Sequence, residues 1–211
     1  MIKLLTALAP GLLTTLALGL LTACATAPQT HYYNLQALPE LNTSMQAELP
    51  PKTTLGIGPV KLPSMLHRKG IVTQSSGPAI KIASHNIWAG NLKEDFTRVI
   101  AQLMGANLGI NDVVTEPWDT RFRPEYQLQM DVQHFSGELG GSVRFKVNWL
   151  LSGNYGQDKL VSQSDEFVLQ SDDISYAAYV STLSTLLAKF SAKTVRQVIL
   201  NKITADKIIA N

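Results

Sequence analysis

Tyr126-Gln127-Leu128-Gln129-Met130-Asp131-Val132-Gln133 and, beyond Gly137, Gly140 and Gly141, Val143-Arg144-Phe145-Lys146-Val147-Asn148-Trp149-Leu150-Leu151 decide the fold class. Apolar and polar residues take turns in both runs, and side chains two apart on a strand share a face. The glycines between them supply the turn, so the two runs are a predicted hairpin. A third run, Lys159 to Leu169, follows the turn around Gly153-Asn154 and Gly156. One-sided alternation of this kind predicts an antiparallel meander with one face on a core and the other in water.

The period changes on either side of the meander. Downstream, Tyr176, Val180, Leu183, Leu187 and Phe190 step by four and three, and Val195, Val198 and Ile199 extend the stripe. This predicts a long amphipathic helix, capped by Asp172 or Asp173 and ending near Ile203. A coiled-coil seam is the alternative, though two heptads are too few to insist on it. Upstream, Asn86 to Met104 is the other helix candidate, with its stripe at Leu92, Phe96, Val99, Ile100, Leu103 and Met104. Asn91 suits its N-cap, Glu94 and Asp95 suit the positive end of its dipole, and Gly105 suits its stop. Trp88 lies just upstream and is expected to pack against that stripe.

Shorter strands precede and separate these elements. His31 to Leu35 reads as the first, and Pro39 to Lys52 as a loop. Thr54 to Leu62 reads as an edge strand with a bulge or bend, because Gly56, Gly58 and Pro59 interrupt it. Pro63 to Gly70 is a turn carrying His67, Arg68 and Lys69. Ile71 to Thr73 and Ala79 to Ala83 are short strands around Ser75-Ser76-Gly77-Pro78, Val113 to Thr115 is another, and Trp118 to Pro124 is a proline-bounded loop. The order strands, helix, strands, helix favours an α+β fold: a mixed, largely antiparallel sheet in one domain, with both helices packed on one face.

The beginning of the chain is of a different kind. Lys3 opens it, residues 4–21 are uncharged, and Leu21-Thr22-Ala23-Cys24 closes the run. This is a secretory signal ending in a bacterial lipobox. The peptidase needs small residues beside the scissile bond, and the thiolate of Cys24 is the nucleophile that takes the diacylglycerol. An ordinary cleaved signal and an uncleaved anchor are the alternatives, since roughly eighteen uncharged residues just span a bilayer. Pro10, Gly11 and Gly19 weaken the anchor, and the fit at all four lipobox positions weakens the ordinary signal. The expected organisation is residues 1–23 as signal peptide, 24–30 as a lipidated short tether, 31–204 as the domain and 205–211 as a tail. A tether of that length reaches ~20–25 Å when extended, so the domain sits against its membrane. Ala25 stands where aspartate retains many lipoproteins at the inner membrane, which directs this chain to the outer one.

Composition narrows the function. The 211 residues carry 18 Lys and Arg against 16 Asp and Glu, which gives no electrostatic case for nucleic acid. Cys24 is the only cysteine, so an intramolecular disulfide and a cysteine zinc site are excluded. His31, His67, His85 and His134 lie far apart, at no metal-ligand spacing. There is no Gly-x-Ser-x-Gly elbow and no phosphate-binding Gly-x-x-x-x-Gly-Lys loop. Glu94-Asp95, Asp165-Glu166 and Asp172-Asp173 read as helix-start, solvent-face and capping residues. His67-Arg68-Lys69 reads as a solvated turn, with a lipid-headgroup or protein contact as the alternative. No catalytic or metal-binding residue is expected, and no cofactor beyond the covalent diacylglycerol and N-acyl chain on Cys24.

A family resemblance rests on motifs in order along the chain. They are the lipobox, Tyr32-Tyr33-Asn34-Leu35, Ile57-Gly58-Pro59-Val60-Lys61-Leu62-Pro63, Arg68 with Ile71-Val72-Thr73, and Trp88-Ala89 with Leu92. Phe135-Ser136-Gly137, Trp149-Leu150-Leu151 and the helix from Tyr179 complete them. Together they resemble the ABC-type transport auxiliary lipoproteins, which include subunits of membrane-integrity transporters. Asn91, where the pattern has proline, and Lys69-Gly70 depart from it. The resemblance implies a non-enzymatic outer-membrane lipoprotein facing the periplasm, subunit of an MCE-type intermembrane lipid transport system. It would dock a periplasm-spanning MCE-type partner at the outer membrane, alone or as a homo-oligomeric ring. A lipoprotein cofactor of an outer-membrane or cell-wall assembly machine is the competing class, but its usual sign, a long disordered tether, is absent.

Overall fold

The computed structural model describes residues 28–38, 52–74, 77–119, 121–195, 199, 201–203 and 205. Its contacts divide the chain into Met1–Thr30 and His31–Asn211. Of the first unit only Pro28, Gln29 and Thr30 are described. The lipobox with Cys24, most of the expected loop (39–51) and the tail beyond residue 205 lie outside the described residues.

Among the described residues the second unit has eight strands and two α-helices: β1 (His31–Tyr33), β2 (Leu55–Lys61), β3 (Gly70–Gln74), β4 (Ile80–Trp88), α1 (Leu92–Leu108), β5 (Val113–Thr115), β6 (Tyr126–Gly137), β7 (Ser142–Gly153), β8 (Asp158–Gln170) and α2 (Tyr176–Lys189). The helical path continues as a π-helical turn, Phe190–Val195. The fold is α+β, and its strands divide between two sheets. A three-stranded sheet has the order β1-β4-β3, and a five-stranded sheet the order β5-β2-β6-β7-β8. Both are mixed: β1 runs parallel to β4, and β2 runs parallel to β5 and β6.

The meander is as its alternation predicts. Leu128 faces Leu151, Met130 faces Trp149, and Val132 faces Val147 across β6 and β7. A bulge between Val132 and His134 then inserts Gln133, which reverses the phase of β6 and turns Phe135 inward opposite Phe145. The core gathers there. Phe145 lies 5.9 Å from Phe96 of α1, 5.6 Å from Phe135 and 5.5 Å from Phe190, all edge-on. Edge-to-face packing is the geometry aromatic quadrupoles favour. It also places both helical elements on the same face of the larger sheet.

Four local expectations are corrected. β2 is an interior strand between β5 and β6, not an edge; its ladder shifts register between Ile57 and Val60, so Pro59 sits in a bulge where no amide donor is needed. The stretch from Asn86 to Trp88 belongs to β4, and α1 begins only after Asn91, whose Oδ1 accepts from the Lys93 and Glu94 amides. Helix α1 runs past Gly105 to Leu108 and stops at Gly109, the residue able to adopt φ 66° without a Cβ penalty. The cap of α2 is Ser175, whose Oγ accepts from the Ala178 amide; Asp173 acts one step earlier, accepting from the Ser175 amide at 2.6 Å.

Candidate docking surfaces

The described residues present a cavity, a groove and an open strand edge. Among them no group of three or more His, Asp or Glu side chains is placed to hold a metal ion. Among the described residues no helix is long and apolar enough to cross a membrane.

His31 and His85 lie on the paired strands β1 and β4, His67 in the turn before β3, and His134 in β6. Burial, and then the nearby Arg144, hold the pKa of His134 below the ordinary 6.5, and its Nε2 lies 3.2 Å from Ser136 Oγ. The folded state therefore resists protonation more than the unfolded chain does. Stability is full above pH 6.5 and is lost as pH falls through that value toward the lower folded one. His134→Gln is expected to flatten this loss, read as a smaller drop in melting temperature between pH 7.5 and 5.5.

The acidic pairs do different work from one another. Asp95 Oδ2 accepts from the Leu35 amide at 2.6 Å, and Asp95 also pairs with Arg98, whose Nη2 donates to the Leu35 carbonyl at 3.2 Å. The Gln36 amide donates to Ser184 Oγ at 3.1 Å. Asp95 thus clamps the segment after β1 to the helices as well as facing the dipole. Asp165 is a correction to its solvent-face reading, because its Oδ2 accepts from the buried Trp149 Nε1 at 2.5 Å. Glu166 does face solvent, between Arg144 and Lys146.

His67, Arg68 and Lys69 line a cavity of about 470 Å³ together with Leu92 and Lys93 at the start of α1. Among the described residues none of these basic side chains has an acidic partner within salt-bridge distance. A second, open groove of about 1000 Å³ runs between α1 and the β5 edge, floored by the small residues Ala101, Gly105 and Ala106. At the opposite edge of the larger sheet, the thirteen residues of β8 pair with β7 alone among the described residues. An unpaired edge of that length offers a row of free backbone donors and acceptors to another chain. The cavity and the clamp were beyond sequence reasoning, since each joins residues of distant elements; the edge followed from the meander.

The family model of the ABC-type transport auxiliary lipoprotein component matches residues 33–195. The chain belongs to that family. As a member it is an auxiliary lipoprotein component of transport. No curated protein matches its sequence significantly. A solved structure of an uncharacterised protein is similar at 23% identity, over 81% of this chain and 99% of its own, with a TM-score of 0.65. A Xanthomonas campestris protein of the DUF330 family covers 84% of this chain and 99% of its own at 15% identity and a TM-score of 0.66. Dodecameric PelC from Paraburkholderia phytofirmans is more distant: 14% identity over 79% of this chain and 93% of its own, TM-score 0.45. The first two share this fold.

Proposed function

We propose that this auxiliary lipoprotein is the outer-membrane subunit of an MCE-type intermembrane lipid transport system, where it docks a periplasm-spanning partner and catalyses nothing. Diacylglycerol and an N-acyl chain on Cys24 hold it, and Ala25 directs it to the outer membrane facing the periplasm. The observation that carries the reading is the β8 edge of a domain whose family serves transport. A strand of thirteen residues paired on one side can accept an elongated partner's strand or a second copy of itself. Contacts of β8 with a different surface of a second copy are head-to-tail, and they close into a ring when their rotation permits.

Light scattering on the purified protein, with and without the MCE-type partner, tests this beside a screen of ester, peptide and nucleotide hydrolysis. Self-association or a stable complex, with no turnover, is the expected result. A strict monomer that ignores the partner, or a hydrolytic activity lost with one substitution, overturns it.

A further inference from the structure

The β3–β4 hairpin carries apolar side chains into water. Gln74 pairs with Ile80, Thr73 with Lys81, and Val72 with Ile82. Ile80 is 40% exposed and Ile82 45%, although β4 ends in the buried Trp88. The strand is thus buried at one end and bare at the other, the reverse of what solubility alone would select. Lys81 is the hairpin's one lysine, and no acidic residue occurs from Gly70 to Trp88.

The direction of β1 says what this end faces. β1 runs parallel to β4, with His31 opposite Asn86 and Tyr33 opposite Trp88. The first residue of β1 is therefore at the end of β1 nearer to where β4 begins, the side of Ile80 and Ile82. Asn86 lies six positions after Ile80 in β4, at most ~20 Å at the rise of a strand. His31 lies seven positions after Cys24, a reach of ~23–25 Å. Tether and hairpin are matched in length, so an anchor at Cys24 brings the membrane surface within reach of the hairpin.

We infer that the β3–β4 hairpin is a membrane-contacting element: Ile80 and Ile82 enter the interfacial layer of the bilayer that holds the anchor, and Lys81 meets its anionic headgroups. Isoleucines flanking a lysine suit that layer, because the side chains exchange water for acyl chains while the ammonium stays at phosphate level. The inference rests on the lipid-anchor reading above, and it deepens it by fixing which end of the domain faces the membrane.

The test uses the full lipidated protein in vesicles of phosphatidylethanolamine and phosphatidylglycerol with brominated acyl chains. With Cys24 acylated, Ile82→Cys and, as control, Tyr155→Cys each provide one labelling site. Tyr155 lies in the β7–β8 turn, at the far end of the larger sheet from the Gly137 end that Tyr179 joins to Val72 of β3. The label at position 82 is expected to be quenched several-fold more than that at 155. In a further variant adding Ile80→Asp, the difference should vanish while the circular dichroism stays that of the parent. Equal weak quenching at both positions of a vesicle-bound chain overturns the inference, as does a label at 82 shielded from both lipid bromine and aqueous iodide, which would mean a protein covers the hairpin. Mass spectrometry of Cys24 separates the two readings. Quenching at 82 without acylation keeps the hairpin and removes the lipid anchor, acylation without quenching does the converse, and a chain absent from the vesicles removes both.

Discussion

Trp149→Ala is expected to lower the unfolding free energy by about 3–5 kcal/mol. Trp149 is only 2% exposed, opposite Met130 on β6 and 6.5 Å from the ring of Phe190. Its truncation removes the largest fully buried side chain from a core that both helices share. It also strips the Asp165 carboxylate of the indole donor it holds at 2.5 Å, and a half-buried carboxylate without a donor adds a desolvation cost. Against a typical total of roughly 5–15 kcal/mol, that is a large fraction of the stability. Denaturant titration reads it directly. Trp149→Phe, which keeps most of the volume and loses only the indole N–H, should fall between parent and alanine. A Trp149→Ala protein that unfolds like the parent and yet loses partner binding would mean that the ring is a docking surface. Trp88→Ala, at the 6%-exposed end of β4, is expected to behave in the same way.

The second large effect concerns location. Cys24→Ala is expected to abolish acyl incorporation and to release the protein from the membrane fraction. Each buried methylene is worth ~0.8 kcal/mol, and a single acyl chain holds a protein only marginally, so several chains make the difference between exchange and retention. Labelled fatty acid should enter the parent and leave Cys24→Ala unlabelled. Normal labelling of the variant would remove Cys24 from its role.

What was legible in the sequence is what local chemistry determines. The hairpin from Tyr126 to Leu151 was readable because period-two alternation on one sheet face leaves one register available. Asn91 was readable as a cap because a short polar side chain before an apolar stripe has one job there. The stop of α1 was not, because two glycines competed for it. Gly105 stays helical because its bare face lies where a Cβ would stand 3.1 Å from the Ile110 carbonyl and 3.5 Å from Val113, so its glycine serves a close approach rather than a stop. β2 was misplaced for a related reason. Gly58 and Pro59 do mark a bulge, but whether a bulge lies at an edge depends on β5 and β6, which come about sixty or more residues later in the chain. Of the surfaces, the β8 edge followed from the meander, whereas the Asp95 clamp on Leu35 spans sixty residues of sequence and left no periodic trace.

That clamp has a mechanical side. A pull directed along β1 loads its hydrogen bonds to β4 together in shear rather than opening them one after another. Three paired residues are a short seam, and the next grip is Leu35, fully buried and held at both its amide and its carbonyl by Asp95 and Arg98. Force that passes the seam is delivered to the first turn of α1, and through Gln36 and Ser184 to the middle of α2. The domain therefore bears tension across its two helices, as a moored body does, and leaves the β8 edge of the larger sheet outside the load path.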